Sequence, residues 1–239
     1  MTSEIFMKFF NYPIIGKEGR LPVYLVSVGL NEWQYHVICE NGDNYAKALY
    51  CTKGRGILII NGEKHIINPY IAFFIPAGCP HEYYSTDDSW DTHWIKPSGD
   101  SCIEMLKALG FDKPKIFPLP KKEITYLDHC FRCMHEALLS DRVDGNFRAS
   151  GYLYSFFIEL SRLATIGKGS VQISPALTKA IAYIDENYMK QLDLNSISES
   201  AGVSSQHLCR LFRQTLNCRP MEYITKRKIQ AAKILLTET

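Results

Sequence analysis

The hydrophobic pattern of this 239-residue chain changes its period close to Gly99. Before that point, short runs rich in β-branched and aromatic residues are separated by turn-forming residues, which is typical of strands. After it, apolar residues recur at every third or fourth position, as they do on one face of a helix. The change predicts an α+β chain in which an all-β sandwich or barrel precedes several helices. We expect strands in the sequences LPVYLVSV, YAKALYC, GILIING, YIAFFIP and SWDTHWI.

The clearest local signal in the β region is the pair Asn61 and Gly62, which lies between two apolar runs. Both residue types tolerate the positive φ values of a type I′ turn, so a tight hairpin is expected here. The prolines and glycine of residues 76–80 interrupt the pattern further along the chain. We therefore expect two separate strands at residues 73–75 and 82–85.

Three helices are expected after the strands, at residues 102–109, 124–139 and 147–163. The last two present more apolar surface than one small barrel covers, so part of that surface is a candidate interface of a homodimer. The next residues, rich in glycine and serine, lack periodicity and are expected to form a linker. These patterns divide the chain into a first domain (1–165), a linker (166–174) and a second domain (175–239).

The excess of basic residues is confined to the C-terminal quarter of the chain. From Ile173 onward there are nine Lys and Arg against six Asp and Glu, a net charge of +3, whereas the remainder carries −1. This distribution is typical of a small, modestly basic DNA-binding domain joined to a near-neutral domain with another function.

The second domain has the pattern of a helix-turn-helix. Ser174 and Pro175 predict the start of one helix. A short helix from Asn195 is expected to end at Gly202, and Ser204 caps the helix after it. In that third helix an apolar stripe is formed by Leu208, Leu211 and Phe212, and the polar face by Ser205, Gln206, Cys209, Arg210 and Arg213. Such an exposed polar-basic face after a tight turn is the geometry of a DNA-reading helix.

The run from Leu192 to Leu236 resembles the first helix-turn-helix and linker helix of the AraC/XylS family of transcription regulators. The matching residues are Ala201, Gly202, Ser204, Leu208, Leu211, Phe212, Arg213, Pro220, Tyr223, Arg227 and the run Ala231, Ala232, Lys233, Ile234, Leu235 and Leu236. Asn217 stands where the family has glycine, and asparagine tolerates the same left-handed conformation.

The resemblance implies binding to double-stranded DNA. We expect Gln206 and Arg210 to reach base edges, and Arg213, Lys226 and Arg227 to contact phosphates. Family members carry a second helix-turn-helix after the linker helix, whereas this sequence ends at Thr239. Either the sequence is incomplete or the chain is a divergent member, and in both cases its DNA binding alone is expected to be weaker and less specific than is usual in the family.

Residues 70–99 resemble the effector-binding, cupin-like barrel of the same family. Alternation along SWDTHWI places Trp90, Thr92 and Trp94 on one face of a strand. Aromatic rings with nearby polar groups inside a small barrel suit a sugar. The candidate ligand-binding residues are His81, Tyr83, Thr92 and Trp94, and the alternative for each is that it fills the barrel core.

The predicted function is therefore a cytoplasmic, dimeric transcription regulator controlled by a small molecule, which we expect to be a sugar, with RNA polymerase as a further partner. We expect no membrane span, no cofactor and no enzymatic activity. One alternative is a cupin-fold metalloenzyme with an accessory DNA-binding domain, but the histidines lack the spacing that a metal site needs. Another is a regulator that responds to a partner protein. Cys130 and Cys133, in HCFRCMH, are expected to pack in a helix rather than bind metal.

Overall fold

A computed structural model describes residues 10–31, 33–166 and 174–237 of the chain. The chain forms two compact units, residues 1–170 and residues 171–239. Most of the expected linker, residues 167–173, lies outside the described residues, as do residues 1–9. No helix in the described ranges is both long and apolar enough to cross a membrane.

The first unit contains an antiparallel sheet followed mainly by helices. Its strands are β1 (Phe10–Asn11), β2 (Tyr24–Asn31), β3 (Val37–Cys39), β4 (Lys47–Ile60), β5 (Glu63–Ile67), β6 (Ile71–Ile75), β7 (His81–Ser98) and β8 (Lys115–Pro118). A 3₁₀ turn (Lys17–Arg20) precedes β2, and the helices are α1 (Cys102–Ala108), α2 (Thr125–Ser140) and α3 (Gly145–Ile166). The three helices lie close to the expected positions, although β8 comes between α1 and α2, and the α+β fold class is confirmed.

The sheet is organised around its two longest strands, β4 and β7. The strand order is β1-β2-β7-β4-β6-β8, with β3 added to β7 and β5 added to β4. The β4–β5 turn has φ values of 54° at Asn61 and 77° at Gly62, so the hairpin predicted there is confirmed. The first half of β4 pairs with β6 and its second half with β5, so this one strand belongs to two parts of a curved sheet.

Two strand predictions were wrong in the same way. YAKALYC and GILIING are parts of the single strand β4, and residues 82–85 continue into SWDTHWI as the single strand β7. The β4–β7 ladder passes through two irregularities, one between Cys51 and Lys53 and one between Gly54 and Gly56. Bulges of this kind absorb an extra residue and bend a strand without ending it. The turn-forming residues in both segments therefore mark bends and not loops.

The two faces of the sheet bury different sets of apolar side chains. One face encloses a cluster that includes Leu49, Cys51, Leu58, Ile67, Phe73 and Trp90, drawn from β4, β5, β6 and β7, and residues of β3 and β8 pack against it. The sheet therefore curls around this cluster as a barrel. The opposite face, with Ala48, Tyr50 and Ile95, packs against α1, α2 and α3. In the two longest strands, neighbouring residues belong to different cores, as the period of two in a strand requires.

The second unit is formed by α4 (Pro175–Asn187), α5 (Leu194–Ala201), α6 (Ser205–Leu216) and α7 (Pro220–Thr237). Its core includes Leu177, Ile184, Ile197, Leu208 and Phe212, all fully buried. The helix ends follow local chemistry, as predicted. Gly202 and Asn217 are left-handed at the ends of α5 and α6, and the Ser204 hydroxyl accepts a hydrogen bond from the His207 amide. Ser174 precedes α4, although its side chain makes no capping hydrogen bond.

Gly56 tests the packing of the barrel core. A Cβ at this position would lie 2.3 Å from Cε3 of Trp90, whose side chain is fully buried. Gly56→Ala should therefore lower the free energy of unfolding of the first unit by about 1–3 kcal/mol. All three tryptophans, Trp33, Trp90 and Trp94, lie in this unit, so urea unfolding followed by tryptophan fluorescence reports on it selectively.

Gly151 provides the matched control for that measurement. It lies inside α3, and a Cβ there would meet no atom within 4 Å. Gly151→Ala should leave the barrel intact and stabilise the same unit by about 0.5–1 kcal/mol through helix propensity. Equal effects of the two substitutions would mean that the barrel tolerates a displaced Trp90.

Candidate effector pocket and nucleic-acid interface

The interior of the barrel combines aromatic and polar side chains. Trp90 and Trp94 of β7 lie in the enclosed cluster, whereas His93 faces the helices and stacks on Phe131 of α2 at 4.5 Å between ring centroids. The alternation predicted for this strand is therefore confirmed. The centroid of the Trp94 ring lies 5.8 Å from that of Tyr12, which is 63% exposed. The aromatic side chains around Trp94 therefore extend to the protein surface.

Gly29 makes room for the Trp94 ring. It pairs with Trp94 across the β2–β7 ladder, and a Cβ at Gly29 would lie 2.3 Å from the indole. The indole therefore lies flat over the backbone of β2, inside the barrel. The neighbouring inward position on β2 is Ser27, which is fully buried and whose hydroxyl has no hydrogen-bond partner in the described residues.

His81 and Tyr83 lie at the start of β7, and both are buried. The Nδ1 atom of His81 donates a hydrogen bond to the carbonyl oxygen of Cys79 at 2.8 Å. Burial lowers the pKa of this imidazole, so the ring is neutral and its Nε2 atom carries a lone pair. Nε2 is buried without a hydrogen-bond partner in the described residues. It is therefore an acceptor available to a ligand hydroxyl.

Thr92 is placed in the interior, but its hydroxyl is already used. It donates to Oε1 of Gln34 at 2.7 Å, and the Asn31 amide donates to the same oxygen at 2.7 Å. All three residues are buried. This network fixes Gln34 and Asn31 against β7, so Thr92 supports the wall of the barrel.

Three charged residues that the sequence reasoning missed lie beside the predicted ones. Lys47 of β4 is 5% exposed, and its ammonium lies 3.3 Å from the Tyr83 hydroxyl and 3.7 Å from a carboxylate oxygen of Asp43. Lys96 of β7 bonds the same oxygen of Asp43. Lys47 shares the inward face of Leu49, and Lys96 that of Trp94, so the alternation rule could have identified both.

The exposed face of α6 presents the residues expected to read DNA. Gln206, Arg210 and Arg213 are exposed, Cys209 is half-buried between them, and Leu208 and Phe212 are fully buried on the opposite side. Arg210 donates a hydrogen bond to Nδ1 of His207 at 2.7 Å. His207 therefore holds the Arg210 guanidinium near the N-terminal end of the helix, a role that the sequence pattern did not suggest.

Three other residues of the predicted DNA-binding set already have protein partners. The Ser205 hydroxyl lies 3.0 Å from that of Ser198 and 3.2 Å from the side-chain oxygen of Asn195, which ties α6 to α5. Lys226 pairs with Glu222 one turn away on the exposed surface of α7.

Arg227 connects two helices of the second unit. Its Nε donates to Asp185 of α4 at 2.8 Å, and its guanidinium lies 5.1 Å from the centroid of the Tyr188 ring. The side chain therefore holds α7 against α4, whatever else it contacts.

The cysteine-rich segment lies on α2. Cys130 is buried in the core between the sheet and the helices, and burial raises the pKa of its thiol. Cys133 is partly exposed, with its sulfur 3.5 Å from Nε2 of His129. Among the described residues, no three His, Cys, Asp or Glu side chains are grouped so as to hold a metal ion.

Both units match known protein families. Residues 30–157 match the AraC-like ligand binding domain, and residues 184–225 match the bacterial regulatory helix-turn-helix proteins of the AraC family.

Several curated proteins are similar over most of the chain. The lactose operon transcription activator of Staphylococcus xylosus is 23% identical over 192 residues, covering 79% of this chain and 68% of that protein. The raffinose operon transcriptional regulatory protein RafR of Pediococcus pentosaceus is 22% identical over 232 residues, covering 93% of this chain and 78% of that protein. The transcriptional activator RhaS of Salmonella schwarzengrund is 20% identical over 212 residues, covering 82% of this chain and 73% of that protein. Since the ligand-binding match alone spans more than half of the sequence, the chain belongs to the AraC family of bacterial transcription regulators, with a ligand-binding domain followed by a helix-turn-helix domain.

Proposed function

We propose that this chain is a cytoplasmic transcription regulator that binds a carbohydrate in its barrel and double-stranded DNA through α6. The observation that carries the proposal is the polar-aromatic interior of the barrel. That interior contains the indole of Trp94 and two buried polar atoms, His81 Nε2 and Ser27 Oγ, that have no hydrogen-bond partner in the described residues. Buried polar atoms without partners are rare in folded proteins, and a bound ligand or water satisfies them.

The chemistry of these groups suits a sugar. An aromatic ring packs against the C–H face of a pyranose, and acceptors and hydroxyls at its rim bond the hydroxyl groups. Trp94 and Tyr12 supply the rings, and His81 and Tyr83 supply polar atoms. The names of two relatives, which refer to the lactose and raffinose operons, support a carbohydrate as the effector.

In the second unit, we assign the exposed residues of α6 to the DNA. Gln206 suits adenine and Arg210 suits guanine, because each offers the paired hydrogen bonds that these bases present in the major groove. Cys209 and Ser205 lie along the same half of the helix. Arg213 lies a turn further on, where it is suited to phosphate contacts, and we place Lys226 and Arg227 of α7 in the same group; their remaining donors are available beyond the contacts to Glu222 and Asp185.

Regulation requires the sugar to favour one arrangement of the protein over another. A ligand that binds two states equally well shifts no equilibrium. A homodimer formed by the helices of the first unit would supply such alternative arrangements of the two DNA-binding units. Exposed apolar residues on α3, including Ile158, which is 57% exposed, and Tyr154, support that interface.

Trp94→Ala should remove the response to the effector. The substitution deletes the ring on which the sugar stacks, so a sugar that raises the melting temperature of the wild-type chain should no longer do so. The measurement is differential scanning calorimetry with a panel of sugars that includes lactose and raffinose. Tyr84→Ala, an aromatic truncation on the outer face of the same strand, is the control and should retain the response. A full response in Trp94→Ala would place the sugar elsewhere.

Arg210→Ala and Arg213→Ala should impair DNA binding in different ways. Loss of Arg210 should cost about 1–3 kcal/mol on the preferred sequence and relax the preference at one base pair. Loss of Arg213 should weaken binding to all sequences alike and make the dependence of log K on log salt shallower by about one unit.

The DNA for this test is selected from a random library by the wild-type chain, then titrated against each variant at several salt concentrations. Lys179→Ala, an exposed basic residue on α4, controls for a general loss of positive charge. If Arg210→Ala reduced the affinity for selected and random DNA equally, α6 would not be the base-reading helix.

A further inference from the structure

The charges that face the barrel interior do not balance. Lys47 and Lys96 both approach the single carboxylate of Asp43, and Lys96 holds it more closely. The Lys47 ammonium, with three donor hydrogens, is left with two long contacts, 3.3 Å to the Tyr83 hydroxyl and 3.7 Å to Asp43. The group formed by Lys47, Lys96 and Asp43 therefore carries one positive charge more than negative.

The other polar groups around these lysines do not supply a second negative charge. His81 is neutral, since burial lowers its pKa, and burial raises the pKa of the Tyr83 hydroxyl far above its usual value. Tyr12 also titrates above its usual pKa because of burial. Although burial alone would raise the pKa of Asp43, its hydrogen bond with Lys96 keeps that pKa below the usual value, so Asp43 is the ionised partner.

Burying a lysine without a full counter-charge is costly. The side chain of Lys47 is 6% exposed, and an ammonium removed from water loses favourable hydration free energy unless a nearby negative charge compensates for it. Burial and the proximity of Lys96 both lower the pKa of Lys47. An anionic group beside the two lysines would restore the balance and receive charge-assisted hydrogen bonds.

We propose that the effector is an anionic sugar whose carboxylate or phosphate bonds Lys47 and Lys96 while its ring packs against Trp94. This inference rests on the proposed function, because it assigns a charge class to the ligand of the same barrel. Asp43 acts as a positioning residue that holds the two ammonium groups together, and Tyr83 and His81 are left to bond the sugar hydroxyls.

The test uses the full chain and sugars matched in all but charge. Isothermal titration calorimetry at constant ionic strength compares D-galactose with D-galacturonate and D-galactose 6-phosphate, and D-glucose with D-glucuronate and D-glucose 6-phosphate. Lactose, raffinose and inorganic phosphate complete the set. We expect at least one acidic sugar to bind tenfold or more tightly than its neutral counterpart, and the uronate and phosphate arms show which anion the site takes.

Variants connect this preference to the lysines. Lys47→Met keeps the length and apolar stem of the side chain and removes a buried charge, so the free protein should fold normally. It should lose at least tenfold in affinity for the acidic sugar, as should Lys96→Gln, and the difference between the acidic sugar and its neutral counterpart should shrink. Lys64→Gln, on the outer face of β5, is the matched control and should bind as the wild type does.

The outcomes separate this inference from the proposed function. If a neutral sugar bound as tightly as its acidic counterpart, the anion proposal would fail while the carbohydrate function stood. If inorganic phosphate bound as tightly as the sugar phosphate, the site would be an anion site without sugar recognition, and the proposal would also fail. If no sugar of either class bound, both would be overturned.

Discussion

The antiparallel ladder between β4 and β7 is the interaction on which the first unit depends. It runs from the pair of Ala48 and Ile95 to the pair of Ile60 and His81, through two bulges. Because side chains alternate between the two faces, these strands supply the barrel interior and also the surface that packs on the helices. A slip of one residue would exchange the two sets and bring the inward lysines into the helix-facing core. Gly54 and Gly56, which closely approach Ser89 and Trp90, fix the ladder against such a slip.

The same alternation connects the pocket to the helices. His93 lies between two inward residues of β7, and its Nδ1 atom is 2.7 Å from the Tyr50 hydroxyl, which donates to Asp128 of α2 at 3.1 Å. Burial lowers the pKa of His93 to about 3, so its imidazole stays uncharged at neutral pH. Movement of Trp94 around a ligand would thus act on α2 through a single backbone residue and two hydrogen bonds. This contact would let the proposed effector favour one arrangement of the helices over another.

Sequence reasoning succeeded where structure is determined by neighbouring residues. The Asn61 and Gly62 turn, the Ser204 cap and the left-handed Asn217 are local events, and each was predicted from residue type alone. The continuity of β4 and β7 was missed because it depends on partners distant in sequence. A bulge at Gly54 is distinguishable from a loop only once the neighbouring strand, here at Ser89, is known. The strand β8 was missed for the same reason, since it is four residues long and is defined by pairing with β6.

The candidate sites show the same division between local pattern and distant contact. Alternation placed Trp94 in the barrel and could have placed Lys96 beside it, but Asp43 lies between β3 and β4, outside any strand. Its role follows only from the two lysines that it contacts. In the second unit, a helical pattern assigns Arg227 to an exposed face without revealing Asp185, 42 residues earlier, as its partner. A basic residue on a helix surface therefore supports DNA recognition only after its protein contacts are known. The α7 residues Lys226 and Arg227 pair with carboxylates, whereas Arg210 of α6 bonds a histidine ring, which leaves its charge uncompensated by that contact.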